Sequence, residues 1–436
     1  MTSTYISYRF GLEIELLLSS RTKNHKSWKS LASELSIRLN RGGIPNHLNE
    51  SNDSSPQNYI EWSISQEVTI PVHIGKRNQW GIELVSPIFT PTGAWPTHLS
   101  MIFRILKKYF IITLSSHCST HIHISTTPPL SPSTLSSLAK SILYFEPALD
   151  ALFPPSRRTS YWCQSNRTNP TLQNLTLAQC FAYLDACVSS PFPSPHHHFP
   201  HPHYEYENDP INLIVRAMCL FPAHSAYGRA HGVTTDFVHG VYKWDLSGLL
   251  VTPLLPPSRI HSPSILSSLI STAQDQIEPT QSYEGALGTY SHRRGKDESP
   301  PPPPPPAQIP TTRRKKLQTI QFRQPPGIQT AEEACTYVEL AVSFVAGSIC
   351  LVDNNNADNH NIIINNNDSS NDDDNNNDKP FIPHLPFQDP NTRVSREDLR
   401  RLLLIGARSS GIGDLRRGGS GGGGVEKLFA YSKSWQ

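Results

Sequence analysis

Four short stretches of this chain carry their charged and imidazole side chains at alternate positions, and no other feature limits its fold so tightly. Residues i and i+2 of a strand point the same way. In Leu12-Glu-Ile-Glu-Leu16, Glu13 and Glu15 therefore share a face that excludes Leu12, Ile14 and Leu16. In Trp80-Gly-Ile-Glu-Leu-Val-Ser86, Glu83 opposes Ile82 and Leu84. Between His117 and Ser125, the residues His117, Ser119, His121, His123 and Ser125 oppose Cys118, Ile122 and Ile124. In Thr319-Ile-Gln-Phe-Arg323, Thr319, Gln321 and Arg323 oppose Ile320 and Phe322. A helix would scatter these side chains around its axis; a strand collects them.

Strands with one apolar and one polar face predict an α+β domain. One large antiparallel sheet would carry helices on its apolar side and stay wet, or bind a ligand, on its polar side. Residues 8–18, 80–88, 117–126 and 319–323 have the period and length of its strands. Helical spacing follows Pro132, at Leu135, Leu138, Ala139, Ile142 and Leu143, and returns at Ala334, Val338, Ala341, Val342 and Val345. Ser395 is a good N-cap for a last helix running through Leu403, before Gly406 and Gly411.

Carboxylates massed on one sheet face repel each other unless a cation neutralises them. The hard oxygens of Glu13, Glu15 and Glu83 suit Mg²⁺, which keeps waters and bridges to substrate phosphates. Arg323 can hold a phosphate oxygen by charge-assisted hydrogen bonds. Each piece alone has a plainer reading, as a solvated E-x-E face, a structural H-x-H pair or an inert Q-x-R. Shared parity over four separated strands is what favours one site.

Composition limits how much of the chain joins that domain. Of 436 residues only 17% are charged, and 39 prolines exceed 24 glycines. Four segments have compositions that pack poorly: 191–210, with five histidines among prolines; 252–268, rich in Pro and Ser; 293–312, containing the run Pro300 to Pro306; and 353–378, mostly Asn and Asp. The histidine tract has two readings, as a transition-metal binder or as an unstructured insert. A net charge of +2 gives no sign of a nucleic-acid binder. Seven dispersed cysteines without a C-x-x-C pair argue against a disulfide framework or zinc knuckle and suit a reducing, cytoplasmic setting. No signal peptide is expected, since Arg9, Glu13 and Glu15 break the first apolar stretch. The apolar run 340–352 is shorter than the ~20 residues of a membrane span, so no membrane partner is expected either.

With these residues in view, the chain resembles the amidoligases, of the carboxylate–amine ligase superfamily that includes glutamate–cysteine ligase and glutamine synthetase. The likeness lies in five ordered motifs: Phe10-Gly-Leu-Glu-Ile-Glu15, Trp62-Ser-Ile-Ser-Gln-Glu67, Gly81-Ile-Glu-Leu-Val-Ser-Pro87, Thr120-His-Ile-His-Ile-Ser125 and Thr319-Ile-Gln-Phe-Arg-Gln324. Tyr242-Lys-Trp-Asp-Leu246, the helix after Pro326 and Leu402-Leu-Leu-Ile-Gly-Ala-Arg408 look like fungal members. The resemblance implies a sheet of the glutamine-synthetase type whose concave face binds ATP and Mg²⁺. It also implies a reaction in which phosphoryl transfer activates a carboxylate and an amine then attacks the acyl phosphate. Carried over by motif, Glu13, Glu15, Glu83 and His121 look like the metal shell, and Arg323 like the clamp on phosphate or substrate carboxylate. His123 is a further catalytic candidate, and Gln321 and Glu67 are nucleotide-side candidates. Arg157 and Arg158 stand where the family places a basic segment, with a pair of solvated loop arginines as the other reading.

Two positions depart from the family pattern: Gln321 stands where Glu is usual, and Glu67 where Asp is usual. The substitution at 321 removes one charge, so a kinase of the same fold and a non-catalytic binding module stay open beside the ligase. Residues 1–352 form the expected catalytic domain, interrupted at 191–210, 252–268 and 293–312. Residues 353–379 would be a linker, and 380–436 a C-terminal helix with a Gly-rich tail. The carboxylate and the amine, whether small molecules, peptides or protein side chains, are not readable from these motifs, nor is the oligomeric state.

Overall fold

The computed structural model describes residues 6–50, 59–189, 209–221, 237–238, 241–250, 318–357, 394–412 and 424–431. All of them fall in one compact unit. Its centre is β1 (Ser7–Ser20), a strand long enough to pair with three others. On one side lies β4 (Trp80–Val85); on the other, β5 (Phe110–Thr113) and β6 (Thr120–Thr127) pair with successive parts of β1. Beyond β4 come β3 (Trp62–Gln66) and β2 (Asn46–Leu48). Beyond β6 come β10 (Ile320–Phe322) and β9 (Trp244–Asp245). A separate ribbon pairs β7 (Leu220–Phe221) with β8 (Phe237–Val238).

The large sheet is mixed rather than wholly antiparallel, because β2 and β3 run parallel. A parallel neighbour requires a crossover. Here the chain leaves β2 at the sheet's edge and returns to enter β3 in the same direction, so the edge pair departs from the expected pattern. The other pairs in the sheet are antiparallel. The α+β class stands, and the alternation read from sequence holds in the middle of the sheet: Leu12, Ile14 and Leu16 are buried on one face beside Ile82, Leu84, Ile122 and Ile124.

Helices cover that apolar face. α1 (Trp28–Arg41) lies against β3 and β4, and α2 (Trp95–Tyr109) leads directly into β5. α3 (Pro132–Asp150) begins where expected, with Ser131 as N-cap and Pro132 in the first turn. α4 (Pro155–Arg158), α5 (Leu177–Ser189) and α6 (Pro210–Cys219) follow. Pro210, at the end of the segment expected to stay unpacked, is the first residue of α6, capped by Asp209.

The longest helix, α7 (Ala331–Ala357), lies against β6, α2 and α3. Its segment Ala331–Leu351 is long and apolar enough to cross a membrane by length and composition, more than the 340–352 run suggested, and is largely buried inside the fold. Trp244 and Phe344 stack with ring centroids 4.9 Å apart, and Trp244 and Phe322 at 4.3 Å, which fastens α7 to β9 and β10. α7 also continues through residues 353–357, the start of the presumed linker. α8 (Arg396–Ser410) has the expected Ser395 cap, completed by a reciprocal bond with Asp398, and ends at Gly411 with φ 67°. α9 (Gly424–Tyr431) follows. Segments 191–208, 252–268, 293–312 and 358–378 lie outside the described residues.

Candidate metal and anion site

The register places the polar side chains in rows across the sheet. Glu15 stands opposite Glu83, and Ser65 opposite Glu83 on the far side. Glu13 stands opposite His121. Gly11, His123, Gln321 and Asp245 form the next row, across β1, β6, β10 and β9. Directly opposed residues in antiparallel strands have Cβ atoms roughly 4.5–5.5 Å apart, so each row is a set of neighbours.

Three carboxylates converge at one end. Single oxygens of Glu15, Glu67 and Glu83 all lie within 4.8 Å of one another. Glu67 follows β3, and Thr69 aims it: the Thr69 amide donates to Glu67 Oε1 at 2.8 Å and its hydroxyl at 2.5 Å. The Glu67 amide donates to the Gly81 carbonyl, and a Cβ at position 81 would lie 2.3 Å from the Glu67 carbonyl oxygen. Glycine is therefore what lets that chain pass so close. Ser119 holds Glu15 through its amide at 2.8 Å and its hydroxyl at 2.7 Å, and Ser65 donates to Glu83 at 3.0 Å. A small buried apolar cluster of Leu17, Ile70 and Cys118 adjoins the carboxylates, with Cys118 in electrostatic reach of Glu15 and Glu67.

The electrostatics follow from crowding of like charges, with Glu15 buried and Glu67 and Glu83 half-buried. Burial, and then the charge of Glu67, push the Glu15 carboxyl up to about 8. Burial, followed by Glu13, Glu67 and Glu15, pushes Glu83 well above the carboxylate range. Burial and the charges of Glu15 and Glu67 also push the Cys118 thiol up to about 12. Such a set is costly when ionised and is relieved by a cation. An all-oxygen, carboxylate-rich donor set fits Mg²⁺, so Glu15, Glu67 and Glu83 are the residues that would hold it.

Glu13 and His121, expected in the metal shell, border the three carboxylates: His121 Nε2 lies 3.6 Å from Glu15 Oε1, and the Glu13 charge bears on Glu83. His123 Nε2 is 2.9 Å from Glu13 Oε1, His121 Nδ1 is 3.1 Å from Glu13 Oε2, and Gln321 Nε2 donates to Glu13 Oε2 at 3.3 Å. Burial alone would raise Glu13, but His123 and His121 outweigh it and hold the carboxyl well below its usual range. Burial would likewise lower His123, and the Glu13 charge raises it instead. His121 is pushed down to about 3 by burial and by Arg323, so it is neutral. Its Nε2 lies 2.8 Å from Ser119 Oγ, which ties the Glu13 group to the Glu15 group.

Arg323 lies within the electrostatic reach of Glu15, His121 and His123. Its Nε is buried, and among the described residues nothing accepts from it. Arg157 is buried and serves the main chain: Nε donates to the Gln324 carbonyl at 3.0 Å and Nη2 to the Arg323 carbonyl at 2.6 Å. Arg158 donates to the Phe153 carbonyl at 3.0 Å. Cys163 is fully buried, and burial pushes its thiol up to about 11.

Residues 7–179 match the family described as "putative amidoligase enzyme". The match takes in β1 to β6 with the three converging glutamates and both strand histidines. Arg323, Gln321 and Asp245 lie beyond it. No curated protein and no solved structure matches the chain.

Sequence reasoning did not single out Thr69, Ser119 or Asp245 as site residues. Ser119 was legible through its parity with His121. Asp245 sits on a two-residue strand, too short to show any period, and only the pairing with Gln321 places it on the polar face. Thr69 left no signal, since its role depends on how the segment after β3 turns back.

Proposed function

We propose that the protein is a carboxylate–amine ligase that uses ATP and Mg²⁺, with Glu15, Glu67 and Glu83 holding the metal and Arg323 binding an anionic group of nucleotide or substrate. The observation that carries this reading is the convergence of three carboxylates, two of them pushed far above their usual range, near an arginine whose buried Nε has no acceptor among the described residues. Phosphoryl transfer depends mainly on positioning and charge neutralisation, and a floor of carboxylates facing a free guanidinium supplies both. The bound metal would neutralise phosphate charge as the substrate carboxylate is activated.

The residues of the chain have separable tasks in this reading. Thr69 and Ser119 orient the carboxylates before anything binds. Leu17, Ile70 and Cys118 exclude water, which strengthens every charge interaction nearby. Glu13 is engaged by His121, His123 and Gln321, so it orients the histidines instead of joining the metal shell. The match to amidoligases over residues 7–179 supports the reaction class.

The test measures ADP release with pooled carboxylates and amines, followed by mass spectrometry of products. An amide product that vanishes in Glu15→Gln and Glu67→Gln supports the ligase. A stable phosphorylated product would assign a kinase. Nucleotide binding without turnover would assign a binding module.

A further inference from the structure

Among the described residues the Arg323 Nε has no acceptor, although two carboxylates, the buried Glu146 and the half-buried Asp150, are close to its strand. Phe322 pairs with Trp244, and just beyond that pair the Arg323 amide donates to the Lys243 carbonyl at 2.9 Å, so Arg323 and Lys243 are neighbours across the two strands. Two cations that neighbour each other across strands repel. The conflict is resolved on one side only. Lys243 Nζ lies 2.7 Å from Glu146 Oε1 and 2.7 Å from Asp150 Oδ1, one turn apart on α3. Ser165 donates to the other oxygen of Glu146 at 2.8 Å, and Gln324 donates to Asp150 Oδ1 at 2.5 Å. Lys243 itself is only 2% exposed. The dicarboxylate is thus filled without Arg323, and Arg157 gives its Nε and Nη2 to main-chain carbonyls.

We propose that Lys243 is a positioning residue: by occupying Glu146 and Asp150 it keeps the neighbouring Arg323 guanidinium free for an anionic ligand, a phosphate or carboxylate group. The inference rests on the reading of Arg323 given above. Without Lys243, the Glu146 and Asp150 carboxylates would lose their cation, and Arg323, one strand away, would turn to them and leave the site. A purely structural lysine would only brace β9 against α3, and its loss would not redirect Arg323.

The experiment uses the full chain and two readouts. Phenylglyoxal modification of Arg323, mapped by mass spectrometry, reports whether the guanidinium is free. Calorimetry with Mg²⁺ alone and with Mg-tripolyphosphate reports the metal and anion sites. Lys243→Met should protect Arg323 from modification. It should also weaken tripolyphosphate by about tenfold, as Arg323→Ala does, and leave Mg²⁺ binding unchanged. Adding Glu146→Gln and Asp150→Asn to Lys243→Met removes the competing charges and should restore both modification and binding. If Lys243→Met does not fold, Lys243→Gln, which keeps a donor for Glu146, carries the same comparison. Equal modification of Arg323 in wild type and the lysine variant, or a folded triple variant that stays protected, overturns the proposal. If modification follows the expected pattern but Arg323→Ala binds tripolyphosphate normally, the anion reading of Arg323 fails while the role of Lys243 in freeing it stands.

Discussion

Glu15 shows how a single side chain couples stability to pH here. Its carboxyl sits at about 8 in the folded chain against an ordinary 4.5. The folded state therefore keeps a proton that the unfolded state has released. That contribution to stability is full below pH 4.5 and is lost as pH rises through 8. Glu83 shifts in the same direction, and Glu13, held low by the histidines, in the opposite one. A divalent cation must displace the proton on Glu15, so stabilisation by Mg²⁺ should grow from pH 6 to pH 8.5. Thermal melts of wild type and Glu15→Gln at both pH values check this, and the variant should show a flatter dependence. Gln321 makes a second prediction. Its amide donates to Glu13, and Glu67 already completes the carboxylate group, so Gln321→Glu loses a donor and adds a like charge. We expect a loss of about 1–3 kcal/mol in stability and no tighter Mg²⁺ binding. Denaturant melts and a Mg²⁺ titration decide it, and tighter binding would show that position 321 does need a charge.

Two close approaches between elements set what the fold tolerates. Gly81 on β4 lets the chain carrying Glu67 pass within reach of Glu15, and a methyl group there meets main chain at 2.3 Å. Gly81→Ala should therefore weaken Mg²⁺ binding by about tenfold or more, with the rest of the sheet intact by circular dichroism. Retained affinity would mean that Glu67 can reach the site from another path. The α7–α8 contact depends on Gly406 in the same way. A Cβ on Gly406 would fall 1.7 Å from the Ser343 carbonyl oxygen and 2.5 Å from the Gly347 amide nitrogen, so the two backbones are in direct contact. Gly406→Ala should force the helices apart and cost about 2–5 kcal/mol, the range of severe core changes. A chemical denaturation midpoint close to wild type would show that α8 is loosely held.

At the scale of the molecule, the amidoligase-matching segment and the folding unit do not coincide. Residues 7–179 end before β9, β10, α7 and α8, yet Phe322, Trp244 and Phe344 stack into the core those first elements line. A fragment ending at Ser189 would leave Ile122 and Ile124 on β6 uncovered at an open sheet edge. It should show no cooperative melt, whereas a sharp transition would mean the first half folds alone. The sequence by itself determined the face assignments of β1, β4, β6 and β10, the cap at Ser395, and the residue types able to hold a hard cation. Those depend on spacing along one strand or one helical turn. Only the tertiary structure decided the parallel edge pair β2–β3, the placement of Asp245, and the meeting of Glu67 with Glu15 and Glu83. Which carboxylate oxygens meet is set by strand register and by the chain's path past Gly81. Parity along a strand says which way a side chain points; it carries no information about which neighbour the sheet brings alongside.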